Sequence, residues 1–422
     1  MHIPARPRQA PIVAGNLPAD ERAVRLWERL APQHWPVPPD HFPAGCALVG
    51  GAVRDALLGR LAPCPDLDLV VPGAAISLGR QLARRCGGTC VVLDSERDIA
   101  RLVLRGWTLD LARQEGNSLE QDLRRRDYTA NAIALPLAPG SPLLDPTGGL
   151  GDLRAARLAA VSEANLLADP LRLLRGLRLE VELELVLEAR SRNWIRRHGA
   201  RLAEVAGERV LTELEKLATA PGGERGLAGC AELSLLAPWG ADATAEPVLL
   251  SLSLEQAEAC GLGSAAAWAL PLARLAALLP PEALGQLRAS RQLQQRSGRL
   301  RRWWRRLTQA AAGAALPEAE QLQLHLDLEA DLPALLLFLP APQAKQQMER
   351  WHLAEDPLFH PSSPLNGVQL QQALGLAPGP ELGVLMRHLT LERAFGRIPP
   401  QDPAASRAAL IAARAWLDRR HG

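Results

Sequence analysis

The stretch from Cys46 to Val71, CALVGGAVRDALLGRLAPCPDLDLVV, restricts what this chain can fold into more than any other. It reads as an apolar strand, a paired-glycine turn, a helix start carrying an arginine, and a second apolar strand with two aspartates one residue apart. Gly50 and Gly51 end the first strand, so the turn frees backbone N–H groups for phosphate, and Arg54 can add charge-assisted bonds from the helix. The third glycine of a dinucleotide fingerprint and the GK[ST] of a P-loop are both missing, which argues against those two folds. Side chains two apart on a strand face the same way, so Asp66 and Asp68 project to one side while Leu67 and Leu69 point into the core. A lone DxD is more often a solvated strand end. Following a glycine turn on the next buried strand, it reads instead as a pair awaiting a cation, and Mg²⁺ suits a few carboxylates plus phosphate oxygens. Asp110, in WTLDLA on a later strand, is the candidate third carboxylate.

Around this stretch, from 45 to about 135, the pattern is α/β. CALVGG and LDLVV are expected as strands, Ala75 to Cys86 as a helix with Leu78 and Leu82 on one face, and TCVVL, ARLVL and WTLDLA as three further strands. Five short strands with two helices make a small half-open sheet. Beyond Leu150 the strand signal nearly vanishes and helical periodicity dominates, from Asp169 through Ala218 and across much of 253 to 355. The first 40 residues, rich in proline around one helical pattern from Asp20 to Leu30, are expected to pack late or to be partly disordered.

The basic residues are two lysines, Lys216 and Lys345, against 46 arginines. Coding bias is the bland cause, yet each arginine is also a planar donor fork able to grip phosphate. Six cysteines without a CxxC pair read as reduced thiols of a cytoplasmic protein rather than zinc ligands. No apolar run is long enough to span a membrane, and the order of a signal peptide is absent.

Residues 118 to 134, SLEQDLRRRDYTANAIA, follow the third of these strands. Ser118 with Gln121 suggests a capping box, and Arg124, Arg125 and Arg126 meet Asp127 at a turn. The bland reading is a solvated basic cluster, and the functional one is an arginine reaching a triphosphate.

LVGGAVRDALLGR, PDLDLVV, RRRDYTANAIA, DPTGGLGDL, ADPLRLLRGLRL and ERVLTELEKL together resemble, in order and spacing, the motifs of the class II tRNA nucleotidyltransferase and bacterial poly(A) polymerase family. The resemblance covers about 45 to 218, and returns weakly in LNGVQLQQALGLAPGPELGVLMRHL, residues 365 to 389, which looks like the family's RNA-facing tail. It implies an α+β fold: a polymerase-β-like nucleotidyltransferase head (41–145) after an N-terminal extension (1–40), then a helical neck (146–220), body (221–355) and tail (356–422). It implies addition of CMP and AMP from CTP and ATP to the 3′ end of tRNA with release of pyrophosphate. Two Mg²⁺ on Asp66 and Asp68 would serve the reaction, Asp110 would be the third catalytic carboxylate, and Gly50, Gly51, Arg54, Arg125 and Arg126 would hold the triphosphate. CC-only addition, A-only addition, poly(A) synthesis and a non-catalytic RNA-binding relative remain open.

In ADPLRLLRGLR, Asp169 and Arg172 are three apart and expected on one helix face. A carboxylate accepts from the amino group shared by cytosine and adenine, and arginine donates to the ring acceptors beside it. Rejection of other bases then comes from buried polar groups left without partners. The resemblance adds Arg175 and Arg178 as nucleotide contacts, Arg175 toward the phosphates and Arg178 in a role that is either direct or only structural. Where the family usually has Glu before this Asp, the chain has Ala168. Gly148, Gly149 and Gly151 mark either an ordinary turn or a hinge. From Arg288 to Arg306 eight arginines occur without an acidic residue, either as a solvated face or as a stripe in which Arg299, Arg301, Arg302 and Arg305 track the RNA backbone of an acceptor stem. The acidic segment from Glu318 to Asp331 is expected to be a solvated face. Oligomeric state is not legible.

Overall fold

The computed structural model describes residues 9–15, 17–138, 140–309, 316–399 and 404–421. The chain divides into two compact units, Met1–Val205 and Ala206–Gly422. The division falls inside the stretch expected as a neck.

The first unit is built on a six-stranded sheet: β1 (Ala47–Val49), β2 (Leu67–Val71), β3 (Thr89–Asp94), β4 (Ile99–Leu104), β5 (Trp107–Arg113) and β6 (Ala134–Pro136), in the order β3-β4-β5-β2-β1-β6. Five of these are the expected strands. The sixth, ALP, is three residues long and too short to show a period. β2 and β5 run parallel and the other neighbours antiparallel. The register aligns Val49, Asp68, Asp110, Arg101 and Val91 across five strands, so these five side chains share one face.

Leu67, Leu69, Leu102, Leu109 and Leu111 alternate with them onto the opposite face and are fully buried. The helix Ala75–Cys86 covers that face with Leu82 buried, and Gly79 allows the close approach, since a Cβ there would lie 3.0 Å from Cys90 Sγ. On the first face, Ala47, Val49, Val70, Leu123, Ala132 and Ala134 form a second small core. Toward the β3 edge this face is open, leaving Val91, Leu93 and Val103 exposed.

The described part of the N-terminal forty residues, read from the sequence as an extension, packs into this unit. Ile12, Val13, Leu26, Leu30, Trp35 and Val37 are buried. Arg29 donates to the carbonyls of Ala56 (2.7 Å) and Ala10 (2.9 Å), and Gln9 N–H to Gly59 O (2.9 Å). Residues 1–8 and 16 lie outside the described residues.

The unit ends in short helices around a two-stranded parallel ladder, Arg157–Leu158 with Val186–Leu187. Gly149 and Leu150 donate their N–H groups to the carboxylate of Asp145 (2.8 and 2.9 Å), and a Cβ on Gly149 would lie 2.2 Å from Thr129 O. Gly148 is the N-cap of the helix Gly149–Arg154, so Gly149 and Gly151 lie within a helix whose start is held by Asp145.

The second unit is helical. Its core holds a buried arginine, Arg274, whose guanidinium donates to Leu252 O (2.9 Å), Ala218 O (2.7 Å) and Ala220 O (3.2 Å) and pairs with Glu224. A C-terminal cluster packs Leu365, Leu370, Leu385, Leu389, Ile398, Ala409 and Ala413. Among the described residues no helix is long and apolar enough to cross a membrane.

Candidate active site

The glycine turn and the first aspartate strand meet as the sequence suggests. Gly50 has φ +71°, which favours glycine, and a Cβ there would lie 2.7 Å from Asp68 Oδ2. Gly51 N–H donates to the Asp68 carboxylate. The turn therefore seats a carboxylate, and the Gly51 N–H, one of those expected to be free for phosphate, is directed at Asp68.

Asp66, Asp68 and Asp110 line one cavity with Gly51, Arg54, Arg175 and Arg178. Asp66 precedes β2 and is exposed, whereas Asp68 is on the strand and partly covered. Burial pushes the Asp68 carboxyl up, with the Asp110 charge adding to this, while Arg126, the Gly51 N–H and Arg175 oppose it. Among the described residues no three His, Cys, Asp or Glu side chains form a ready metal cage. Oxygen donors on one wall, one of them a desolvated carboxylate, nevertheless suit a hard cation completed by substrate oxygens. Asp110 stands beside Asp68, but both its oxygens are held by Arg101 Nε and Nη2 at 2.8 Å.

Arg54 lines the cavity, yet its guanidinium is largely committed: Nε and Nη2 to Asp55 (2.9 and 3.1 Å) and Nη1 to Asn131 Oδ1 (2.6 Å). Asn131 Nδ2 in turn donates to Asp127 (3.2 Å), and Asp127 pairs with Arg175 Nε (3.1 Å). Four side chains thus connect the helix Gly51–Leu57 to the helix Leu171–Leu183. Asp127 is buried, which would raise its carboxyl. Arg175, the Tyr128 N–H, Arg172 and Asn131 outweigh that and hold it below the usual range.

A second cavity is lined by Asp122, Arg125, Arg126, Asn165, Ala168, Asp169 and Arg172. Asp169 and Arg172 do come together there, though not on one helix face. Asp169 follows the helix Glu163–Ala168 in an extended conformation (φ −143°, ψ 98°), and the next helix starts at Leu171. The cause is Pro170, whose ring disfavours helical geometry in the residue before it. Asp169 Oδ1 accepts from Leu171 N–H (3.3 Å), and Asp169 O from Arg172 N–H (2.9 Å).

Arg126 pairs with Asp122 (3.3 Å) and Arg125 with Glu115, so the arginine turn carries its own counter-charges. Of the expected capping box only one half forms: Ser118 Oγ accepts from Gln121 N–H (3.3 Å), while Gln121 Oε1 accepts from Asn117 N–H (2.8 Å) and not from Ser118. Arg178 pairs with Glu182 while also lining the carboxylate cavity. Tyr128, the chain's single tyrosine, is fully buried and donates its hydroxyl to Arg172 O (2.9 Å). Sequence alone does not single out Arg101, Asn131 and Asn165, because each acts through a strand register or a long-range bond. For Asp127 it offers no role beyond a place at the end of the arginine turn, and the RRRDYTANA run is its only signal.

In the second unit the arginine stripe lies on the helix Arg291–Gln309. Arg301 does not face outward. It is 5% exposed and its Nη1 reaches the carbonyls of Ala276, Ala277 (2.9 Å) and Leu279 (3.4 Å), closing the C-terminus of the helix Ala266–Leu278. Arg302 pairs with Asp327, Arg306 with Glu320 (2.8 Å) and Arg296 with Asp331 (2.8 Å). In the acidic segment Glu320, Asp327 and Asp331 are therefore the arginines' counter-charge, while Glu318 and Glu329 stay on the exposed face. Arg299 and Arg305 remain exposed, with no ion pair among the described residues.

A sequence profile of the poly A polymerase head domain matches residues 46–159, and one described as the probable RNA and SrmB-binding site of polymerase A matches 185–239. The chain is 45% identical over 198 residues to a CC-adding tRNA nucleotidyltransferase of Synechocystis sp., covering 47% of each. It is 43% identical over 206 residues to an A-adding tRNA nucleotidyltransferase of Deinococcus radiodurans, covering 48% of this chain and 46% of the relative. In these two matches the chain spans about half the relative's length. A CC-adding tRNA nucleotidyltransferase of Thermus thermophilus is 32% identical over 423 residues, covering 87% of this chain and 92% of the relative. A solved CCA-adding enzyme with CTP superposes with TM-score 0.69 at 21% identity, over 89% of this chain and 90% of that one. The Thermotoga maritima CCA-adding enzyme with tRNA gives 0.65 at 19%, over 94% and 97%. Likeness at those identities speaks for the fold alone, whereas the nearly full-length match to the Thermus relative shows that the chain belongs to the tRNA nucleotidyltransferase family with a poly(A) polymerase head.

Proposed function

We propose that this protein transfers CMP, AMP or both from CTP and ATP to the 3′ end of tRNA, releasing pyrophosphate. The observation that carries the reading is the placement of Asp68 and Asp110 in one cavity with Arg175 and Arg178, on the helix whose first turn joins Asp169 and Arg172 in the neighbouring cavity. Asp169 accepts from a base amino group and Arg172 donates beside it, which selects cytosine and adenine. Arg126, Arg175 and Arg178 take the triphosphate, oriented by Asp127 and Asn131. Asp66 and Asp68 hold Mg²⁺, which when bound supplies charge stabilisation and a more acidic primer hydroxyl. Gly50 and Gly51 keep Asp68 in place and leave space for the phosphates. Arg299 and Arg305, joined by Arg302 where it exchanges Asp327 for phosphate, contact the tRNA backbone. The head, neck, body and tail boundaries read from the sequence remain part of this proposal, as does a cytoplasmic location.

CC-only addition is the second reading, favoured by the nearly full-length match to a relative named CC-adding. One assay decides among these activities. Substrate tRNAs ending at the discriminator base, at C and at CC are incubated with CTP or ATP alone, and product length is read. Full CCA addition extends all three, CC-only addition stops at CC, A-only addition extends only the last, and long A tails reveal poly(A) synthesis. No extension of any substrate would overturn the proposal.

A further inference from the structure

Building on the proposed function and deepening it, we infer that Asn165 is a positioning residue that sets nucleotide choice, by fixing the distance between the base-reading arginine and the triphosphate-binding arginine turn.

Asn165 is the third residue of the helix Glu163–Ala168, whose N-terminus is capped by Ser162 Oγ accepting from Asn165 N–H (3.1 Å). Its side-chain Nδ2 donates to two carbonyls of the arginine turn, Arg124 O at 2.8 Å and Arg126 O at 2.7 Å. Two carbonyl partners can only be served by the amide nitrogen, which settles the orientation of the amide. Its backbone carbonyl then accepts from Arg172 Nη1 (2.9 Å), and the same Nη1 donates to Arg125 O (3.0 Å).

One asparagine and one guanidinium nitrogen therefore stitch three consecutive carbonyls, at 124, 125 and 126, to the start of the base-reading helix. Arg172 gives Nη1 to this seam, and Nε and Nη2, which make no hydrogen bond among the described residues, are left for a base edge. Ala168, which lines the same cavity, has no polar side chain to share the task. Without Asn165, two turn carbonyls lose their donor and the turn carrying Arg126 can drift from Arg172. A base edge and a triphosphate are parts of one ligand, so drift at one end misplaces the other. Poorer positioning lowers discrimination because a wrong base is rejected by the mismatch with a fixed donor and acceptor pair.

The test compares Asn165→Ala, Asn165→Ser and Asn165→Asp in the full chain, reading kcat/KM for CTP and for UTP on tRNA and thermal melting of each variant. Asn165→Ala should cut the CTP-to-UTP preference by about tenfold, mainly through a higher KM for CTP, with little change in KM for tRNA. Asn165→Ser offers a single hydroxyl donor one bond short of the amide nitrogen, and should fall closer to Asn165→Ala than to wild type. Asn165→Asp keeps size but cannot donate, and should resemble Asn165→Ala. An unchanged CTP-to-UTP ratio, or an equal loss for both nucleotides, would overturn the inference. Equilibrium binding of CTP and UTP reads the same ratio without turnover. A wild-type protein that binds CTP selectively yet extends no tRNA would thus count against the proposed function and leave the role of Asn165 to be judged by binding.

Discussion

Asp68 and Asp110 stand opposite one another on adjacent parallel strands, in the middle of a row that Arg101 continues. Two carboxylates and one guanidinium on a single sheet face make a site whose charge balance changes when a cation enters. Asp68→Ala, with Asp66→Ala as its partner, should reduce incorporation of labelled nucleotide by at least about a thousandfold while leaving the melting temperature unchanged or raised, because Asp68 is a desolvated carboxylate. Persistent incorporation would remove both residues from the reaction.

Gly50→Ala tests the seat of that carboxylate. The positive φ and the 2.7 Å approach to Asp68 Oδ2 act together, so the substitution should cost about 1–2 kcal/mol in a urea titration. Activity should fall more than stability, because Asp68 must move. A variant with full activity would show that the turn has slack.

Arg301 and its neighbours separate by role. Arg301→Ala leaves helix-terminal carbonyls unpartnered and should lower stability by about 1–3 kcal/mol. Arg299→Glu and Arg305→Glu should leave melting unchanged, weaken tRNA binding, and flatten its salt dependence by about one unit of slope for each arginine replaced. Equal salt slopes for wild type and variants would exclude these two side chains from the RNA interface.

His325 supplies a pH dependence. It is 6% exposed, packs its ring against Phe359 and has an unpartnered Nδ1 among the described residues. Burial pushes its pKa down to about 4, helped by the charge of Arg350 and opposed by Asp356. Between about 6.5 and about 4 the unfolded chain binds a proton that the folded one refuses, so stability falls as pH drops through that window, by up to roughly 3 kcal/mol. His325→Gln should remove this part of the slope. Parallel curves for wild type and variant from pH 7 to 4.5 would refute the assignment.

What can be read in advance is local. The strands CALVGG and LDLVV depend on residues within a few positions of one another and form as expected, whereas Asp66 falls just ahead of its strand and the Ser118 capping box forms only in part. Asp169 and Arg172 meet as the spacing predicts but do not share a helix, because Pro170 overrides the periodicity that links them. The stripe around Arg301 shows the opposite limit. A run of arginines on a helix looks uniform in sequence, and only the packing of the helix Ala266–Leu278 and the acidic partners Asp327, Glu320 and Asp331 tells which point inward, which are neutralised and which are exposed. Arg101 is legible only once the register of β4 against β5 sets it opposite Asp110.

Tyr128 gives the pocket an observer of its own. The chain has one tyrosine and ten tryptophans, so intrinsic fluorescence would be dominated by indoles scattered over both units. Biosynthetic replacement by 3-fluorotyrosine would instead place a single fluorine nucleus on the ring whose hydroxyl touches the backbone of Arg172. One ¹⁹F resonance would then follow, without background, how the start of the helix Leu171–Leu183 answers each added nucleotide.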